Sequence, residues 1–410
     1  PLEDTLIKNV KKVCPSTYIE VNVNNYQKKI EKYFNLQDQR DENKYDINDL
    51  HNTIEKVITK NLISDTKTGI FLSGGLDSSI ISVISKKINP DIVAYTSFFS
   101  PKEKFCKFNK DFYFAEKLCN EYNIKLNKVV IDENNQNQKN LILSSFQNLD
   151  EPIANMNFFN SFLQSKQAKE ENCKVILTGD GADEIFGGYE RYQKCYIARK
   201  FQLFSLFSKK LNRLSSLDNE KLPTYFYNFI DFNNFKYLFN NEFKKNILET
   251  SDFKFSLPYN SQKEVIINHF DLYYWLSNES NFKLDRASMF NSIEARVPFQ
   301  DISIIKKFFK LNMNNKIDFL NLKKPLKKLN IVPKYITKRK KHGWFSPESF
   351  YLRSYLKEFF LDTINSNQNL TEHVFKKDEV LKLFHEHLNG NYYKNQLIPI
   401  LAFKSWYNNL

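Results

Sequence analysis

The chain has 410 residues, enough for two or three domains at ~100–200 residues each, and its 41% apolar and 15% aromatic content excludes a disordered or low-complexity protein. Mean hydropathy is -0.53, and no apolar run approaches the ~18 residues of a membrane span. The formal net charge of +13 is spread along the sequence and densest at Lys338-Arg339-Lys340-Lys341, with a weaker run from Lys323 to Lys328, which suits solvated faces better than a nucleic-acid surface.

In chain order, Ser16–Val23 alternates apolar and polar residues as a half-buried strand does, and the polar stretch Leu36–Tyr45 reads as a linker. From Ile47 a stripe of Leu50, Ile54, Val57, Ile58 and Leu62 predicts a helix capped by Asp46 or Asn48. Strand and helix then alternate. Strands are predicted at Thr68–Leu72, Ile92–Thr96, Lys128–Ile131 and Val175–Leu177. Helices fall at Asp77–Lys87, Phe112–Tyr122, Leu141–Leu149 and Phe159–Lys169. This rhythm predicts an α/β fold, a parallel sheet with helices on both faces. After Tyr192 the pattern becomes long, aromatic-rich and amphipathic, as in Val265–Leu276 and Val380–Leu388, and predicts a mostly helical C-terminal half. The five cysteines form no CxxC pair, and Pro1-Leu2-Glu3-Asp4 has no signal-peptide character, so the expected compartment is the cytoplasm. His385 and His387, two residues apart, point away from each other on a helix and are no metal pair.

The chain has only nine glycines, and six fall in two short windows that follow predicted strands. In Phe71-Leu72-Ser73-Gly74-Gly75-Leu76-Asp77-Ser78-Ser79 a strand passes through Ser-Gly-Gly into a helix. Backbone N–H groups of such a turn, with the free N–H groups of the helix start, make an anion nest. No Gly-Lys-Ser/Thr follows, so it is not a Walker A loop. An aspartate at a phosphate nest makes sense as a Mg²⁺ ligand, which points to Asp77. In the second window, Leu177-Thr178-Gly179-Asp180-Gly181-Ala182-Asp183-Glu184-Ile185-Phe186-Gly187-Gly188-Tyr189, three acids crowd into five residues and call for a cation or a substrate ammonium. The spacing does not fit a calcium loop.

The first window resembles the pyrophosphate loop of the N-type ATP pyrophosphatases, and the second resembles the signature of the asparagine synthetase family, whose synthetase domain has that fold. Three more stretches agree with the family. They are Asp150-Glu151-Pro152-Ile153-Ala154, the block from Asp285-Arg286-Ala287-Ser288-Met289 to Asp301, and Arg339-Lys340-Lys341-His342-Gly343-Trp344. The resemblance implies that Ser73, Gly74, Gly75, Ser78 and Ser79 hold pyrophosphate, that Leu72 packs on adenine, and that Thr178 and Gly179 line the nucleotide. It also implies that Asp77 and Asp183 bind Mg²⁺, that Lys341 neutralises charge on the α-phosphate, and that Asp180 contacts the reacting groups. Glu184 and Arg296 fall on the acceptor side, Arg296 either as a carboxylate clamp or as a structural ion-pair partner.

The implied reaction is adenylation of a carboxylate by MgATP, then amination by ammonia from glutamine, with aspartate the first choice of acceptor. A sugar acid, a lasso-type peptide or a β-lactam precursor would undergo the same chemistry, and an RNA-binding pyrophosphatase relative is the alternative of another class. Family members begin with a glutaminase domain whose nucleophile is an N-terminal cysteine. Here residue 1 is Pro and Cys14 precedes Pro15, so residues 1–36 are expected to be the end of such a domain, with residues 46–410 the synthetase portion. Within it, 46–192 would bind nucleotide and 193–410 would supply the acceptor and lysine motifs. A homodimer is left open. Asp180 stands where the best-known asparagine synthetases carry Glu, which bears on the choice of acceptor.

Overall fold

The computed structural model describes residues 3–36, 44–100, 103–132, 134–147, 149–200, 208–227, 232–250, 255–341, 346–366 and 373–409. Most of the predicted linker, residues 37–43, lies outside these, as do His342, Gly343 and Trp344 of the lysine motif. The chain opens with an antiparallel hairpin of β1 (Thr17–Val21) and β2 (Lys28–Lys32). The expectation of a half-buried strand here needs correction. Tyr18, Ile19, Val21 and Ile30 are all exposed, because no layer covers either face of the hairpin among the described residues.

Helix α1 (Ile47–Leu62) begins at Asp46, whose side chain accepts the Asn48 N–H at 2.9 Å, and it buries Leu50, Ile54, Val57 and Ile58 of the predicted stripe, with Leu62 half-buried. The alternation follows as β3 (Lys67–Phe71), α2 (Leu76–Ile88), β4 (Val93–Phe99), α3 (Lys110–Tyr122), β5 (Lys125–Ile131), α4 (Gln136–Gln147), α5 (Asn157–Glu170) and β6 (Cys173–Leu177). A three-residue strand, β7 (Glu294–Arg296), completes a five-stranded parallel sheet in the order β5-β4-β3-β6-β7. It was not predicted, since three residues carry no readable alternation and they lie in the half read as helical.

Both faces of the central strands β3, β4 and β6 are covered, which is why these three are buried nearly throughout. Ile70, Ala94, Val175 and Leu177 pack under α1, α2 and α3. On the opposite face, Phe71, Tyr95 and Ile176 meet Ala168 of α5 and Leu284 of the helix Asn281–Met289. Alternation with a period of two explains the split. Helices Lys357–Asn365, Lys377–Leu388 and Lys394–Tyr407 close a second core against α4 and α5. No helix among the described residues is long and apolar enough to cross a membrane.

The strand order reverses between β3 and β6, with β4 and β5 on one side and β7 on the other. In open α/β sheets ligands bind outside the carboxyl ends of the strands at such a switch point. Both glycine windows leave the sheet there, one from β3 and one from β6.

Candidate active site

The β3 strand ends at Phe71, and Ser73-Gly74-Gly75 turns the chain into α2. Gly74 has φ +65°, and a Cβ there would come within 2.6 Å of the Ala115 N and 2.7 Å of the Asp111 carbonyl, so the turn lies directly on α3. Only glycine fits both restrictions. Arg339 fastens this turn from outside. Its Nη1 donates to the Gly74 carbonyl at 2.8 Å, its Nη2 pairs with Asp111, and its guanidinium lies 4.3 Å from the Phe114 ring centre. Within the turn, the Ser73 and Ser78 hydroxyls are 3.1 Å apart, a pair of polar groups at the mouth of the nest.

The β6 window faces it. Gly181 and Gly187 both take left-handed φ values around the short helix α6 (Ala182–Phe186), which aims Asp183 back toward α2. Asp183 receives the Lys341 ammonium at 2.5 and 2.7 Å. A second ammonium, from Lys323, reaches Asp183 at 2.5 Å and also pairs with Asp77. Lys323 is only 5% exposed at its side chain. Gly188 makes room for this arrangement, because a Cβ there would run into both the Asp183 carboxylate and the Lys323 stem. Burial works against ionising Asp183, but Lys323 and Lys341 outweigh it and hold the carboxyl well below the usual range. Burial also opposes the Lys323 charge, and Asp183 and Asp77 together hold its pKa above the lysine norm. Burial, with the like charge of Asp183, pushes Asp77 upward against the pull of Lys323.

Asp77 Oδ1 is buried without a hydrogen-bond partner. Two carboxylates from the first turns of α2 and α6, one with an unfilled lone pair, suit a hard divalent cation that brings most of its ligands along as phosphate and water. Among the described residues no group of three or more His, Cys, Asp or Glu side chains could hold a metal by itself. Asp77 and Asp183 would therefore fit a Mg²⁺ whose remaining ligands come from phosphate and water.

These groups line one cavity of about 1090 Å³. Of the sequence-predicted site residues, Leu72, Ser73, Gly75, Asp77, Ser78, Thr178, Gly179, Asp180, Asp183, Glu184 and Lys341 all face it. Gly74 and Ser79 do not. Gly74 is turned onto α3, and Ser79 is fully buried behind the loop. Glu184 lies at the back, 1% exposed, accepting the Tyr189 hydroxyl at 2.7 Å, and burial with the neighbouring Asp183 charge pushes its carboxyl up to about 8.

Arg296 is not in the cavity. Its guanidinium pairs with Glu294 and donates to the Asn61 and Ile63 carbonyls at 2.8 and 2.7 Å, closing the C-terminal end of α1. Of its two sequence readings, the structural ion-pair partner matches this geometry and the carboxylate clamp does not.

The far wall comes from a single helical run, part of which the sequence predicted as Val265–Leu276, though none of its cavity-facing residues was singled out. Helix Lys263–Phe270 continues through a π-helical stretch, Asp271–Ser280, into Asn281–Met289. Its cavity-facing residues Trp275, Glu279, Ser280, Lys283 and Leu284 include pairs four and five apart. Ser280 donates to Asp180, and Glu279 accepts from Asn155 at 2.5 Å. Lys323 was also missed. The only sign of it in the sequence was the basic run beginning there.

Two glycine turns at the switch point of a parallel sheet, with paired carboxylates and lysines lining one cavity between them, place this chain among α/β proteins with a polar cleft at the strand ends. The family model for asparagine synthase matches residues 49–408, and the chain belongs to that family. Among curated relatives it is 25% identical over 440 residues to asparagine synthetase [glutamine-hydrolyzing] 1 of Bacillus subtilis, covering 100% of this chain and 66% of the relative. Asparagine synthetase [glutamine-hydrolyzing] 3 of the same organism is 23% identical over 356 residues, covering 82% of this chain and 54% of its own length. The chain thus spans under two thirds of the length of these relatives. An NH3-dependent NAD synthetase from Campylobacter jejuni superposes with a TM-score of 0.28 at 14% identity, over 58% of this chain and 96% of that one, too partial a match to bear on the fold.

Proposed function

We propose that this chain forms an amide from a carboxylic acid, ATP and ammonia, with the aspartate side chain as acceptor and glutamine, hydrolysed on a separate domain, as the ammonia source. The observation that carries this reading is the pairing of Lys341 with Asp183 in the same cavity that the Ser73–Ser78 turn lines. It supports a cleft where phosphate is held on one side and charge is compensated on the other.

In the first step an acceptor carboxylate oxygen attacks the α-phosphorus, the bond to the β-phosphate oxygen breaks, and pyrophosphate leaves. In the second, ammonia adds to the acyl carbon, the carbon–oxygen bond to AMP breaks, and one proton is lost to give the amide. The Ser73–Ser78 turn and the start of α2 bind the leaving pyrophosphate through N–H and O–H donors. Lys341 moves from Asp183 to the α-phosphate as charge builds there and places a cation against it. Asp77 and Asp183 would hold Mg²⁺, which neutralises phosphate charge when bound. Asp180, oriented by Thr178 and Ser280, takes the proton from the incoming ammonia. Residues 1–36 are read as the end of the glutaminase domain, a reading supported by the exposed apolar side chains of the hairpin.

The experiment is pyrophosphate release from MgATP with ammonium chloride across a panel of carboxylates. Aspartate-dependent pyrophosphate with matching asparagine is the expected result. Turnover with a different acid would retain the chemistry and replace the acceptor, and no turnover with any acid would overturn the proposal.

A further inference from the structure

We propose that the Lys323 ammonium is an internal cation standing where Asp77 and Asp183 converge, so that the cleft takes up Mg²⁺ only together with the phosphates of the nucleotide. This inference rests on the ATP reading above and adds an order of binding to it.

The charge count is the first argument. Asp77 and Asp183 supply two negative charges, and Lys323 and Lys341 supply two positive ones within contact distance. A free divalent ion approaching this group meets a neutral cluster whose nearest atoms include two ammoniums. In a buried site, where charges are weakly screened, that arrangement repels it.

Lys323 is also held in place by its backbone. It takes a left-handed conformation with φ +52°, uncommon for a residue with a side chain, and its N–H donates to the Gly187 carbonyl at 3.3 Å. The stem then runs through the slot left open by Gly188. A lysine that served only as a solvated charge would need neither the strained backbone nor the slot.

The lysine nevertheless leaves the site incomplete. It engages Asp77 Oδ2, while Asp77 Oδ1 stays buried and unpartnered. A buried acceptor without a partner is costly, and the cost is removed when a cation with a larger coordination shell replaces the ammonium. Arriving phosphates provide that exchange. Their oxygens draw Lys323 and Lys341 away from the carboxylates, and the carboxylates freed by this movement take the metal that the phosphates carry. The same two lysines thus compensate the aspartates first and the phosphates afterwards.

The test is a titration of the full 410-residue chain with Mn²⁺ alone, followed by electron paramagnetic resonance. The native chain should bind no Mn²⁺ at concentrations where Lys323→Met does, with affinity raised at least about tenfold in the variant, within the usual range of coupling between sites. Asp77→Asn in the Lys323→Met background should remove the gained site, which places it between the two carboxylates. Equal Mn²⁺ binding by the native chain and Lys323→Met overturns the inference, and so does silence from both. If Lys323→Met does not fold by circular dichroism, Lys323→Gln replaces it. Tight Mn²⁺ binding by the native chain alone is decisive against the inference without any variant. Binding of α,β-methylene-ATP with Mg²⁺ is measured in parallel. Its absence would sink the nucleotide reading, whereas free Mn²⁺ on the native chain would sink only the order of binding.

Discussion

The Ser280 hydroxyl donates to one carboxylate oxygen of Asp180 at 3.2 Å across 100 residues of sequence, while the Thr178 hydroxyl holds the other at 2.7 Å. A carboxylate fixed from both sides is oriented for one partner in the cavity. Asp180→Ala should lower kcat by at least about a hundredfold, the low side of a general acid–base contribution, with the KM for ATP little changed. Ser280→Ala should lower it less and raise the acceptor KM. Steady-state kinetics with ammonium chloride separates the two. A rise in the KM for ATP alone would place Asp180 with the nucleotide instead.

Lys341 pairs with Asp183 in the cavity with its side chain 34% exposed. Removing a preorganised charge from a developing oxyanion costs about 10²–10³ in kcat. Lys341→Met should therefore lose that much pyrophosphate release while keeping its thermal midpoint. An active Lys341→Met chain would remove the lysine from the mechanism.

Arg296 leads to the opposite expectation. Its hydrogen bonds close the end of α1, and its loss leaves the Asn61 and Ile63 carbonyls short of a donor. Arg296→Ala should destabilise the fold by about 0.5–1.5 kcal/mol, the net worth of an ordinary hydrogen bond where water can take the donor's place, with kcat and both KM values near native. Urea unfolding beside kinetics distinguishes this from the carboxylate-clamp reading, for which the acceptor KM would rise instead.

Glu184 should make stability depend on pH. Its carboxyl is raised by burial to about 8 in the folded chain, against an ordinary value of 4.5. Below 4.5 it is protonated in both states and the contribution is fully present. Between 4.5 and 8 the folded chain keeps a proton that the unfolded chain has released, so this stability falls as the pH rises. Glu184→Gln cannot titrate, and its melting temperature should overtake that of the native chain progressively from pH 5 to about 8. Parallel pH profiles for the two would contradict the assignment.

Much of this arrangement is visible in the sequence because the physics that sets it is local. The buried runs at Ile70, Ala94 and Val175 announce parallel strands, and scarce glycines mark the two turns that must approach a ligand or take positive φ. Motif order then brings Asp77, Asp183 and Lys341 together. Lys323 stayed hidden because its role arises from a contact 246 residues away, and a lysine run looks like solvent-facing charge until something buries it. Arg296 was ambiguous because β7 is too short to reveal which side of the sheet each residue faces. The hairpin was misread because alternation reports a preference for one buried face, and it cannot say whether anything lies against that face.

The π-helical stretch has a consequence for how this chain tolerates insertion and deletion. A π turn closes its hydrogen bonds one residue later than an α turn, so the segment Asp271–Ser280 holds residues that a regular helix would not accommodate in the same span. Deleting one of them without a compensating change in the turns would swing everything beyond it by one residue's step, about 100° in an α-helix. Lys283 would leave the cavity, Arg286 would leave Asp150, and Leu284 would leave the sheet. The length of this segment is fixed by its two ends, and in a single-residue deletion scan it should be as intolerant as the glycine turns.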